Sequence, residues 1–484
     1  MRLWLNRRVQ CSVVKDAEIG DRLRARNHWW RDERGWERED ENLREAAQAP
    51  FDYRPGVLDD IEPGGLYTLS GPRRIGKSLE LRRAIAALIG RGVAGRNIVY
   101  CSCDDFSLQD LRRMFRIGES ITRRVEGTRW WFVDEVTAVG RGWSSIVKDL
   151  RDDTPLRRDC VILTGSSSRE LRDATKNFAG RRGPAAARSD RLLMPIPFRD
   201  FCRLLGGLDG LGDIPAICPR EMMGRQAQEA IEELSFWTSE LVNAWELYLR
   251  CGGFPRAVSD FLRTGDVTPA FAQDLCDVVR GDGIRATSLG DADLLNFLAR
   301  VAQGICSPLN ASSVAEHVGL GSHHAVNDRV NDLVFAFQVW KCHQIGAGGR
   351  PNTNRRRKVY FVDPLLARIP SERRGAYQPP DVSKLNEQQL GLSLLRAATG
   401  GRADAFVAAD EVMYERTSTA EIDFVGAAIE VPFESKYVER NWRSESRALA
   451  ARYGRGIVAT RNILDTDGDI WALPTSLVVW LLGT

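Results

Sequence analysis

Residues 71–78 read Gly-Pro-Arg-Arg-Ile-Gly-Lys-Ser, the G-x-x-x-x-G-K-[ST] spacing of a phosphate-binding loop. In such a loop consecutive backbone N–H groups and a helix N-terminus face the phosphates, where the helix dipole favours negative charge. The residues forming the cradle are Gly71, Pro72, Arg73, Arg74, Ile75 and Gly76, followed by Lys77 and Ser78. Lys77 would reach the β- and γ-phosphates of ATP, and the Ser78 hydroxyl would ligate Mg²⁺. Downstream, Arg129-Trp-Trp-Phe-Val-Asp-Glu135 is an apolar run ending in two adjacent carboxylates. Asp134 would hold the Mg²⁺ shell, and Glu135 would act as general base on the attacking water. A third run, Cys160-Val-Ile-Leu-Thr164, leads into Gly165-Ser-Ser-Ser168. A polar side chain there could sense the γ-phosphate, Ser166 first and Thr164 second; the alternative is that these serines cap a helix.

A second set of chemically competent residues lies near the C-terminus. Glu421-Ile-Asp-Phe-Val425 is followed by Ile429-Glu-Val-Pro-Phe-Glu-Ser-Lys-Tyr437, so Asp423, Glu434 and Lys436 form a D…E-x-K pattern. Residues two apart on a strand share a face, which brings Glu434 and Lys436 together, with Asp423 on the neighbouring strand. Asp423 and Glu434 would hold Mg²⁺ to activate water against a phosphodiester, and Lys436 would steady the nucleophile or the developing charge. Glu387, on an earlier helix, is a further acidic ligand. The pattern matches restriction-endonuclease-like folds.

These residues need elements to position them. Strands are expected near 66–70, 97–102, 129–134, 160–165 and 191–195, alternating with helices, which gives a doubly wound parallel sheet with its ligand site at the C-terminal strand ends. The predicted organisation is a charged, tryptophan-containing arm at 1–50, an ATPase core at 51–200 and a helical lid at 201–285. A winged helix-turn-helix at 286–375 and a C-terminal α/β domain at 376–484 follow. Trp29 and Trp30 precede, and Trp36 sits in, a run of alternating charge from Arg31 to Glu45, and these tryptophans would dock on the ATPase core or on a partner. The winged helix is outlined by a helix at 312–318, a glycine turn at 319–322, a helix at 323–335 and strands at 337–340 and 359–362. Its joining hairpin carries Arg350, Arg355, Arg356, Arg357 and Lys358, a basic loop at 350–358 placed to contact phosphates of DNA. The module could equally serve packing alone.

Composition narrows the class without choosing the function. Apolar residues make up 43% and charged residues 27%, as in ordinary globular domains, and a net charge of +3 does not by itself demand nucleic acid or membrane. Only eight of the 68 basic residues are lysines, and Lys77 and Lys436 fall where a compact ammonium is required. Ten cysteines without paired C-x-x-C spacing read as reduced thiols, and five histidines give no metal cluster. No apolar run reaches membrane-spanning length, so a cytoplasmic location is expected.

Taken together the motifs resemble a broad family of bacterial and archaeal AAA+-like ATPases with a C-terminal restriction-endonuclease-like domain of unknown function. The phrases that carry the resemblance include Leu193-Met-Pro-Ile-Pro-Phe-Arg-Asp-Phe201, Tyr248-Leu-Arg-Cys-Gly-Gly-Phe-Pro255 and Lys358-Val-Tyr-Phe-Val-Asp363. The resemblance implies an α/β fold with a P-loop ATPase core, a helical lid, a winged helix and a nuclease-like end, with ATP and Mg²⁺ as cofactors. It also points to Gly180-Arg-Arg182, where Arg181 or Arg182 would act on the γ-phosphate as finger or sensor. The expected function is an ATP-driven switch governing a DNA-associated module. The alternative is a nucleotide-dependent scaffold or regulator whose nuclease-like domain is silent and binds nucleic acid or protein. A protein partner and homo-oligomerisation are compatible with either.

Overall fold

The computed structural model describes residues 15–484 apart from 124–125, 166–167, 209–210, 212–213, 288 and 374–377. The chain separates into two units, Met1–Gly71 with Gly76–Leu193, and Pro72–Ile75 with Met194–Thr484.

In the first unit the apolar runs form five parallel strands: β1 (Leu66–Ser70), β2 (Ile98–Ser102), β3 (Trp130–Asp134), β4 (Cys160–Gly165) and β5 (Asp190–Leu192). Their order is β2-β3-β4-β1-β5. β1, β3 and β4 are buried at every position, which is why they read as unbroken apolar runs rather than alternating ones. Because β4 lies between β1 and β3, the loop that follows β1 and the acids that end β3 flank the C-terminal end of β4.

β2 is an edge strand, and the N-terminal segment covers it. Asn27 donates to the Tyr100 carbonyl at 2.9 Å and accepts the Tyr100 N–H at 2.7 Å. The indole N–H groups of Trp29 and Trp30 both donate to the Ile98 carbonyl, at 3.0 and 2.8 Å. These side chains satisfy backbone groups that an open edge would offer to another strand. The buried Trp29, Trp30 and Trp36 therefore dock on the core, not on an external partner.

The second unit begins with helices, among them Phe198–Leu205, Arg225–Leu234, Thr238–Cys251 and Pro255–Thr264. The phrases noted in the sequence meet here. The Tyr248 hydroxyl donates to the Ile196 carbonyl at 2.8 Å, and the Ile196 N–H donates to the Gly253 carbonyl at 2.7 Å. Asp363 accepts the N–H groups of Gly253 and Leu365 at 2.8 and 2.9 Å. Gly252 has φ 73°, and a Cβ there would collide with Asp363 Oδ1, so glycine is required twice over.

Helix Ala311–Val318 ends at Gly319 with φ 72°, and helix His323–Phe335 starts under a Ser322 cap. Strands β6 (Val339–Ile345), β7 (Pro351–Asn352) and β8 (Lys358–Phe361) follow, then β9 (Met413–Arg416), β10 (Glu421–Val425), β11 (Phe433–Ser435), β12 (Gly456–Thr460) and β13 (Ile470–Pro474). They make one sheet in the order β13-β12-β11-β10-β9-β6-β7, with β8 pairing β6. Parallel pairing of β6 with β9, His343 opposite Met413, thus joins the wing-like hairpin to the C-terminal strands.

Candidate functional site

The 71–78 segment closes on helix Lys77–Gly90, whose N-cap Gly76 has φ 99°; Arg74 is also left-handed at φ 64°. Glycine adopts such a turn without strain, and the alternation of backbone hand is the geometry of an anion-binding nest. The Lys77 ammonium donates to the Gly71 carbonyl at 3.0 Å and lies 4.0 Å from the Glu135 carboxylate. Ser78 Oγ donates to Asp134 Oδ2 at 2.7 Å. The structure thus brings together four groups that the sequence assigns to one site: Lys77, Ser78, Asp134 and Glu135.

Two further residues fix Asp134. Thr164 donates to Asp134 Oδ1 and accepts the Glu135 N–H at 3.0 Å; the Tyr100 hydroxyl donates to Asp134 Oδ2 at 3.0 Å. Burial first, and the Asp134 charge second, push the Tyr100 pKa well above the ordinary phenol value, so this hydroxyl stays a donor. The Arg82 guanidinium stacks on the Tyr100 ring at 3.7 Å and pairs with buried Asp40 at 3.0 Å. Glu135 itself has φ 50°, a conformation rare outside glycine. Gly165 leaves room for Thr137, whose side chain would collide with any Cβ at that position. Sequence reasoning missed Tyr100, which no motif marks, and gave Thr164 only second place as a sensor.

Other expected residues fall elsewhere. Ser166 lies outside the described residues. Arg181 is bound to Asp152 through two contacts of 2.7 and 2.8 Å. Arg182 pairs with Asp190 at 2.9 Å, and its carbonyl accepts the N–H of Leu66, at the start of β1, whereas the phosphate loop follows its end. Within this unit neither arginine is brought to Lys77, because both are anchored at the opposite end of the sheet.

The C-terminal constellation assembles on β10 and β11, which run antiparallel with Phe424 opposite Phe433. Asp423 Oδ2 accepts the Ser435 N–H at 3.0 Å, and Lys436 pairs with Glu434 at 3.1 Å. Glu387 enters from helix Val382–Thr399. The unexpected member is Lys358. The sequence places it on the basic loop at 350–358 that would contact DNA phosphates; the structure buries it completely. Its ammonium hydrogen-bonds Glu387 Oε1 at 3.0 Å and Asp423 Oδ1 at 2.8 Å, and pairs with Glu421 Oε1 at 2.9 Å. Tyr360, two residues on and so on the same face of β8, donates to Glu387 Oε1 at 2.6 Å.

The electrostatics follow from burial. Burial disfavours the Lys358 charge, but Asp423, Glu387 and Glu421 more than offset it and hold the amine well above its ordinary pKa. Burial pushes Glu387 up to about 7, aided by the Asp423 charge. Burial likewise pushes Glu434 up to about 7 against the pull of Lys436. Of the basic loop, Arg350, Arg355 and Arg356 stay exposed, whereas Arg357 is half-buried.

Residues 64–202 match the family model of an AAA domain, and residues 242–371 match a domain of unknown function, DUF8612. An uncharacterized protein of Haemophilus influenzae is 23% identical over 378 residues, spanning 76% of this chain and 83% of its own length. Among solved structures the chain is similar to the Aeropyrum pernix ORC1 protein in complex with DNA, at TM-score 0.30 and 14% identity over 68% of this chain and 91% of that one. It is also similar to the Thermotoga maritima RuvB Holliday junction branch migration motor, at TM-score 0.28 and 13% identity over 70% and 95% of the two chains. The 64–202 segment is an AAA-type P-loop nucleotide-binding domain. No helix among the described residues is long and apolar enough to cross a membrane.

Proposed function

We propose that the chain is an ATP-hydrolysing switch whose nucleotide state governs a DNA-associated winged-helix and nuclease-like module. The observation that carries the catalytic half is the 2.7 Å hydrogen bond from Ser78 to Asp134, which puts a hydroxyl and a carboxylate where one Mg²⁺ would take both as ligands. That donor set, hard oxygens beside a lysine, fits the ion. Bound Mg²⁺ would neutralise charge on the β- and γ-phosphates.

The chain's own residues do the rest. Lys77, now resting on the Gly71 carbonyl, turns its ammonium to the phosphates. Glu135, held by Thr164 through its backbone N–H, accepts the proton of the attacking water. Thr164 and Tyr100 keep Asp134 in a single orientation, so little reorganisation is left for the chemical step.

The DNA half rests on the helix–turn–helix between Ala311 and Phe335, the hairpin that follows it, and the exposed Arg350, Arg355 and Arg356. Hydrolysis measured with and without double-stranded DNA, beside Lys77→Ala and Glu135→Gln, tests both halves. The expected result is DNA-stimulated turnover, absent in Lys77→Ala, with nucleotide still bound but turned over slowly in Glu135→Gln. Turnover indifferent to DNA would remove DNA from the reading. Normal turnover in Glu135→Gln would remove that residue as base.

One observation favours the second reading, a regulator whose nuclease-like domain is silent: an ammonium already sits among the carboxylates meant for the metal.

A further inference from the structure

We infer that Lys358 is a resident cation standing where the nuclease-like site would hold its divalent metal, so that the C-terminal module of this chain does not hydrolyse phosphodiesters. The inference rests on reading β10, β11 and the Glu387 helix as a nuclease-like site.

The fit of a metal is tested by counting oxygens. Asp423 has Oδ1 on Lys358 and Oδ2 on the Ser435 N–H. Glu387 Oε1 is shared by Lys358 and Tyr360. Glu434 has Oε1 on Lys436, and its Oε2 is buried without a hydrogen-bond partner. A divalent ion such as Mg²⁺ needs several oxygens at about 2.0–2.1 Å, and the oxygens best placed for it already bind an ammonium at 2.8–3.0 Å. An ammonium has three N–H donors, matched here by three carboxylates, Glu387, Glu421 and Asp423. A divalent ion and the buried amine would also repel each other, and burial weakens the screening between them. Among the described residues no three His, Cys, Asp or Glu side chains form an open metal-ligand group.

A surface ion pair does not explain this arrangement. Lys358 is fully buried, lies in a strand rather than a loop, and meets acids from two separate elements, β10 and the Glu387 helix. Two of those acids, Asp423 and Glu387, are among the three the sequence assigns to the metal; the third, Glu434, pairs with Lys436 instead. The amine therefore neutralises the site from within.

The test is a Mn²⁺ titration of the full-length chain, read by electron paramagnetic resonance without nucleotide. Asp134→Asn is the parent, to silence the other site. The parent is expected to bind no ion through Asp423. Lys358→Met should gain one bound Mn²⁺, at least about tenfold tighter than any binding in the parent, and lose it again in Lys358→Met/Asp423→Asn. Lys358→Gln repeats the test if the methionine variant does not fold. A parent ion that Asp423→Asn removes would overturn the inference while leaving the nuclease-like reading standing. A folded Lys358 variant that gains no ion would overturn both, and ATP hydrolysis, assayed separately, would be untouched by either result.

Discussion

The hydroxyl of Thr164 donates to the carboxylate of Asp134, tying the end of β4 to the end of β3. The same oxygen accepts the Glu135 N–H at 3.0 Å, so one side chain fixes both acids of the proposed nucleotide site. Thr164→Val keeps the shape and removes both bonds. Turnover should fall about 10–100-fold, equivalent to roughly 1.4–2.7 kcal/mol, while nucleotide affinity changes little. Steady-state hydrolysis beside a fluorescent-nucleotide titration separates the two; unchanged turnover would show that Thr164 positions nothing.

That Lys77, Ser78, Asp134 and Glu135 come together was legible in the sequence, because their geometry is local. A loop of fixed length between a strand and a helix, and acids at the end of an apolar strand, imply their own three-dimensional arrangement. All five strands of the first unit start and end within three residues of their expected bounds. Lys358 shows where such reading stops. A lysine at the end of an arginine run looks solvated, and its burial is decided by β8 pairing with β6 and by the helix carrying Glu387, contacts remote in sequence. Glu421 gave a partial signal, since it lies two residues before Asp423 and so shares its face. Nothing in the sequence linked Tyr100 to Asp134, because that hydrogen bond depends on β2 lying beside β3.

Asn27 offers a test of the arm that covers β2. Its amide satisfies both the N–H and the C=O of Tyr100, so Asn27→Ala leaves two buried backbone groups unpaired. A loss of about 1–3 kcal/mol is expected, read as a lower urea midpoint for the first unit by tryptophan fluorescence. An unchanged midpoint would mean that the arm lies on β2 without stabilising it.

The exposed arginines of the hairpin give a quantitative check on the DNA reading. If Arg350, Arg355 and Arg356 each neutralise a phosphate, alanine at any one should weaken binding of unrelated duplexes uniformly. Each should also reduce the slope of log affinity against log salt by about 1. Fluorescence anisotropy across a salt series measures this. Lys358, being buried, should not belong to that set. A slope unaffected by all three arginines would leave the hairpin without a DNA role.

Asp363 makes the second unit sensitive to pH. Burial pushes its carboxyl up to about 7, against the two N–H groups it accepts, while in the unfolded chain it titrates near an ordinary aspartate. The folded state therefore holds the proton more tightly. The stabilisation from this residue is complete below the unfolded value and is lost as pH rises through about 7. Asp363→Asn cannot ionise, so it should flatten that part of the stability profile between about pH 4 and pH 7. Its single carbonyl can replace only one of the two acceptor oxygens, leaving Gly253 or Leu365 unpaired, so the variant should be less stable by about 1–3 kcal/mol at the acid end. Melting followed by circular dichroism at several pH values reads both effects. A wild-type profile as steep in the variant would place the titration on another group.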